Sequence, residues 1–180
     1  MLLLIMLQAG IPGLSDSNNI SIVDGGLNKP YPRTTFDAGP TVGDILNWHF
    51  FPALSAYNSG RYRSAIADLN YIIQRADYLA PNPRQTEFMS TTHYLRGVIY
   101  LYHATGIGRH SLAKSDFESA IKWNPRNHIA YIELSRVYSE LGYTEQAALL
   151  IEYLLKLNPS EEVSKAAQEE LAKLKGNRSN

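Results

Sequence analysis

A shift of 34 residues lays FESAIKWNP (Phe117 to Pro125) over IEYLLKLNP (Ile151 to Pro159), with Glu118/Glu152, Lys122/Lys156, Asn124/Asn158 and Pro125/Pro159 identical. The same shift carries Gly108 onto Gly142 and Ala113 onto Ala147, and a third Gly-x4-Ala pair stands at Gly60 and Ala65. Self-similarity of this length marks a helical repeat. Each copy is one supersecondary unit that cannot bury its apolar face alone and must stack on the next. The best-formed copy, 127–159, reads as two short helices and a turn. The expected fold class is therefore all-α, built from about three helix pairs.

Composition narrows the partners. The 180 residues, 44% hydrophobic and 19% charged, suffice for one domain with a substantial core. Lys plus Arg equals Asp plus Glu at 17 each, so no excess positive field is available for a phosphate backbone or an anionic membrane, and nucleic acid is not an expected partner. The absence of cysteine removes disulfides, thiolate metal sites and a cysteine nucleophile. Twelve tyrosines offer large contact area with a polar tip, as at a surface that meets another molecule.

Residues 1–10, MLLLIMLQAG, open on an apolar run too short to span a bilayer. The run has the apolar core and small-residue end of a truncated signal peptide but no positive leading region. Export is the expectation if the natural start lies upstream; otherwise the segment is an apolar tail and the compartment cytoplasmic. Residues 11–40, rich in Gly, Pro, Ser, Asn and Asp, carry no helical or alternating period and read as an irregular arm. The repeat domain is expected over 41–180.

Thr41 and Asp44 mark the start of a helix from Val42 to Asn58, with a kink at Pro52, which lacks a backbone donor. Gly60 ends it, and Ala65, Leu69, Ile72 and Ile73 give the next helix an apolar face up to Pro81. Asn82-Pro83 starts a long helix to His103, and ATGIGRHS forms a loop about four residues longer than its counterpart. Helices follow over Leu112–Trp123, His128–Leu141 with Asn127 as cap, and Glu145–Leu157 with Thr144 as cap. Ser160 caps a last helix, 160–175, with Val163, Ala167, Leu171 and Leu174 on one face and Glu161/Lys165 and Glu169/Lys173 pairs on the other. A stack needs such an end piece.

At these positions the chain resembles the tetratricopeptide repeat (TPR) family. The third unit carries the pattern in Tyr131, Leu134, Ser135, Tyr138, Gly142, Ala147, Ile151, Leu154 and Pro159. The second carries Gly97, Tyr100, Ala113, Phe117, Ala120 and Pro125, with Arg96 where Leu134 stands in the third; the first carries Gly60, Tyr62, Ala65, Leu69 and Ile72, with Pro52 in that leucine's place. Small residues at Ala65, Gly97, Ala113, Ser135 and Ala147 allow close helix contact. The resemblance implies a right-handed α-α superhelix of about three TPR helix pairs plus a C-terminal capping helix, whose first helices line a concave groove for a protein or peptide segment, aromatic and apolar over its first two thirds and polar at its end. Projected onto that face are Phe50, Leu54 and Tyr57, then Tyr94, Val98, Leu101 and Tyr102, then Arg136, with Ile132, Ser139 and Glu140 at the polar end. Tyr94 lies centrally and is the expected anchor.

The expected function is a non-enzymatic interaction scaffold, an accessory or assembly subunit of a larger homo- or hetero-oligomeric complex. The alternative is a self-assembling subunit whose arm fills a neighbour's groove. No glycine-rich phosphate loop, paired-carboxylate signature or nucleophile elbow occurs, and no cofactor or metal is expected. His49 and His93 stand at equivalent places and read as inter-helix packing. His103 and His110 flank the long loop, and Arg61-Tyr62-Arg63 reads as a solvated turn around a buried tyrosine.

Overall fold

The computed structural model describes residues 45–75 and 83–176. The apolar segment 1–10, the arm 11–40, the Thr41 cap, the Val42 start and the Pro81 and Asn82 signals lie outside the described residues. All regular structure among those described is helical. A π-helical segment, Leu46–Phe50, leads into α1 (Phe51–Asn58), followed by α2 (Tyr62–Gln74), α3 (Pro83–Tyr102), α4 (Arg109–Trp123), α5 (His128–Glu140), α6 (Thr144–Lys156) and α7 (Glu161–Gly176). Among these residues no helix is long and apolar enough to cross a membrane.

The kink expected at Pro52 takes the form of the π-helical segment one turn earlier, with Pro52 in the first turn of α1. A proline there offers no N–H to the carbonyl four residues back and crowds it, and a widened turn relieves both. α1 closes on Gly60 at φ +72, the Gly60 N–H bonding to Tyr57 O at 3.0 Å and the Arg61 N–H to Ala56 O at 2.8 Å. α5 ends in the same way on Gly142, with bonds of 3.0 and 2.8 Å to Ser139 O and Tyr138 O. These paired bonds form a Schellman closure, which satisfies the last carbonyls and needs a left-handed residue that glycine supplies without strain.

Each helix packs on its neighbours in the chain, and α5 also touches α3 and α7. The bonds show the directions. Ser90, His93 and Gly97 of α3 meet Ala120, Asp116 and Phe117 of α4, so those two run antiparallel. Asn127, at the head of α5, reaches Ser90 early in α3, whereas Arg136 reaches Tyr102 at its end, so α3 and α5 run parallel. The core lies between the helices. Ala53, Ala65, Leu69, Ile72, Ile99, Ala113, Phe117, Val137, Ala147, Ile151 and Leu154 are all fully buried.

Several expected details change. Asn127 and Thr144 make no side-chain cap bond; the Asn127 amide instead donates to Ser90 Oγ at 2.9 Å and ties α5 to α3. Thr144 is the first helical residue of α6, and α4 begins three residues before Leu112, at Arg109. On α7 the buried stripe is Val163, Ala167, Glu170 and Leu174, with Leu171 half-exposed. Glu170 takes the inward place because Arg136 meets it there. Lys173 accordingly pairs with Glu170 at 3.5 Å instead of Glu169.

A Cβ placed on Gly97 would lie 2.8 Å from Phe117 Cε1, and that ring is fully buried. Gly97→Ala gains up to about 1 kcal/mol of helix propensity but forces the ring off its seat at about 1–3 kcal/mol. Net destabilisation is expected, read as a lower urea midpoint at unchanged slope. A midpoint at or above the parent's would show that Phe117 repacks freely.

Candidate functional site

The residues projected onto the first-helix face divide in two. Phe50, Tyr94, Val98 and Leu101 are buried, with exposures of 1, 8, 5 and 2%. Ile132 is buried as well. Phe50 packs edge-on to Phe88, with centroids 5.0 Å apart, and Tyr94 leans on Phe117 at 5.9 Å. In the described structure these side chains are core, because α3 is wrapped by neighbours on more than one side. Leu54, Tyr57 and Arg136 remain partly accessible and Tyr102 is 49% exposed. The accessible face is thus more polar than the sequence pattern implies.

What organises that face is a run of hydrogen bonds across three helices. The Tyr102 hydroxyl donates to Glu133 Oε2. Arg136 donates through Nη1 to Glu133 Oε1 at 2.8 Å and to the Tyr102 hydroxyl at 3.2 Å, and through Nε to Glu170 Oε2 at 3.3 Å. Burial, then the nearby Glu133 carboxylate, pushes the Tyr102 phenol up to about 12. The same two causes, in the same order, raise Tyr94. For Arg136, burial alone would lower the pKa; Glu133, Tyr102 and Glu170 outweigh it and hold the guanidinium charged. Such charge-assisted, forked bonds fix side chains in place before any ligand arrives.

Glu133 and Glu170 were absent from the sequence projection. Glu133 stands one turn before Arg136, and Glu170 lies 34 residues after it, so carrying the repeat period into the last helix would have singled it out.

A second polar cluster lies inside the helix pairs. His49 Nδ1 is 2.9 Å from Asp68 Oδ1, and His93 Nδ1 is 2.9 Å from Asp116 Oδ1. The equivalent histidines thus each pair with an aspartate of the following helix. Tyr71 stacks on His49 at 3.7 Å and carries Arg75 over its other side. Arg96 forks onto Asp116 at 2.8 and 2.7 Å and also reaches Asn70 on α2. This occupies the place that is leucine in the third unit. His110 Nε2 lies 2.7 Å from Glu140 Oε2 without hydrogen-bond alignment. Its carboxylate comes from another helix and was invisible in the local spacing. Among the described residues no three metal-ligating side chains converge.

The third cluster is aromatic. Tyr62 stacks on His103 at 4.0 Å and 10°, and Tyr57 stands edge-on to both at 5.9 and 5.8 Å. Tyr62 is half-buried between exposed Arg61 and Arg63. The sequence matches no protein-family model, and comparison with curated proteins finds no match.

Two outcomes test these clusters. Asp116→Ala leaves Arg96 and His93 without their carboxylate and is expected to cost about 3 kcal/mol. The double variant Arg96→Leu with Asp116→Ala should recover part of that loss in the same urea assay; additive losses would show that the pair is not coupled. Because folding holds the Tyr102 phenol above its usual 10.0, its contribution is complete below pH 10 and is lost as pH rises through about 12. Stability should fall across that interval, and less steeply in Tyr102→Phe; identical slopes would detach Tyr102 from the effect.

Proposed function

We propose that the chain is a TPR-type interaction module, without catalytic activity of its own, that holds a protein or peptide segment across its first helices as an accessory or assembly subunit. The observation that carries this reading is the pre-ordered face of Tyr102, Glu133, Arg136 and Glu170 on the parallel α3 and α5 and on α7. Side-by-side helices with locked polar groups and a half-exposed tyrosine suit the binding of an extended segment. Tyrosine supplies contact area at low entropic cost, and the fixed carboxylates and guanidinium orient the incoming backbone. The 34-residue spacing and the small residues at the hairpin crossings support the repeat class.

Tyr102 replaces the buried Tyr94 as the expected anchor. Affinity capture with the full chain, followed by calorimetric titration of the captured partner, tests the reading. Tyr102→Ala should weaken binding by about 1–3 kcal/mol, and Arg126→Ala, an exposed residue away from the face, should not. Equal affinities for parent and Tyr102→Ala would move the site off this face.

A further inference from the structure

The face built on Tyr102 and Arg136 does not account for Arg61-Tyr62-Arg63. Gly60, Arg61, Tyr62, Arg63, Ser64 and His103 line an open depression of ≈ 500 Å³. Arg61 and Arg63 are exposed at its rim, and no carboxylate among the described residues pairs with either. This differs from the other functional clusters, where Arg96 is held by Asp116 and Arg136 by Glu133 and Glu170. The first turn of α2 has no acidic residue. Glu133 acts on the adjoining Tyr57, but it is already bonded to Tyr102 and Arg136. In a chain of zero formal net charge, two arginines with no carboxylate partner among the described residues therefore line one depression, beside the stacked Tyr62 and His103 rings.

We infer that this depression docks an anionic group of the bound segment, either adjacent carboxylates or a phosphorylated side chain. The chemistry is shared: each guanidinium presents a planar fork of N–H donors that matches a carboxylate or phosphate edge, and two of them balance about two negative charges. The inference rests on the interaction-module reading and sharpens it. Tyr57 touches both of these rings and is one of the accessible residues of the first-helix face, so one peptide can reach the depression and the face together. The partner is then acidic at one end and apolar or aromatic beyond it, and its encounter rate depends on salt.

The test is a nuclear magnetic resonance titration of the isotope-labelled full chain with three synthetic peptides that share an apolar and aromatic segment and differ only at one end: Asp-Asp, phosphoserine or Asn-Asn. The acidic peptides should shift the resonances of residues 60–64 and His103 and bind at least about tenfold more tightly than the Asn-Asn peptide. That advantage should vanish in Arg61→Ala with Arg63→Ala and persist in Arg126→Ala. Whether the phosphoserine or the Asp-Asp peptide gains more identifies the source of the anion. Equal binding of all three peptides, shifts confined to the Tyr102 face, or an advantage that survives the double variant overturns the inference and leaves the interaction module standing. No shift at 60–64 with any peptide overturns it as well. Shifts at 60–64 without any at Tyr102 retain the anion site and instead defeat the placement of the binding face.

Discussion

The contact between the bare backbone of Gly97 and the Phe117 ring sets the separation of α3 and α4, and much else follows from that separation. With no side chain at Gly97, the ring lies directly on the helix. The residue before Phe117, Asp116, is thereby brought within 2.9 Å of His93. From there Arg96 can fork onto the same carboxylate and still extend to Asn70. One close crossing thus joins three helices, two through packing and the third through a side chain that reaches over. The corresponding crossing in the next hairpin uses Ser135, whose hydroxyl donates to Ala147 O at 3.1 Å. A small polar residue keeps the helices near and adds a bond that glycine cannot make.

The two kinds of glue differ in what they specify. Apolar burial around Leu69, Ile99, Phe117, Ile151 and Leu154 is non-directional and tolerates neighbouring registers. The buried His93–Asp116 pair and the part-buried His49–Asp68 pair do not, because a polar group withdrawn from water is costly unless it meets its partner. Their recurrence in the first two hairpins, with Tyr131 near Tyr153 in the third, places directional contacts where the repeat pattern is weakest: Pro52 and Arg96 stand there in place of the leucine found at Leu134.

Helix order and most boundaries were legible in the sequence because they depend on local signals: the glycines at 60 and 142, the Asn-Pro stops at 124–125, and the apolar spacing of Ala65, Leu69 and Ile72. Burial around α3 was less legible. A helix covered by α2, α4 and α5 buries Tyr94, Val98 and Leu101 together, and one-face periodicity cannot reveal coverage from several sides. Side-chain partners were also hidden, since Asn127 looks like a cap until Ser90 arrives from 37 residues away. Glu170 looked like a surface charge beside a leucine stripe until Arg136 turned it inward. In both cases a distant polar partner overruled a local preference, and Tyr102 and Glu133 are likewise far apart, 31 residues in sequence.

The turns are not interchangeable. At Gly60 and Gly142 the chain reverses through two interlocked bonds, so an added residue there would break the closure and rotate the following helix on its axis. Between Tyr102 and Arg109 the path is longer, Ile107 projects fully into solvent, and Arg109 fastens the far side by donating to Leu101 O at 2.8 Å. Loop closure becomes only slowly more costly with length, about 0.6 kcal/mol per doubling. This turn is therefore where the protein can acquire new sequence while its helices keep their register. The reversals at Gly60 and Gly142 act as rigid joints, and this one as an expansion joint.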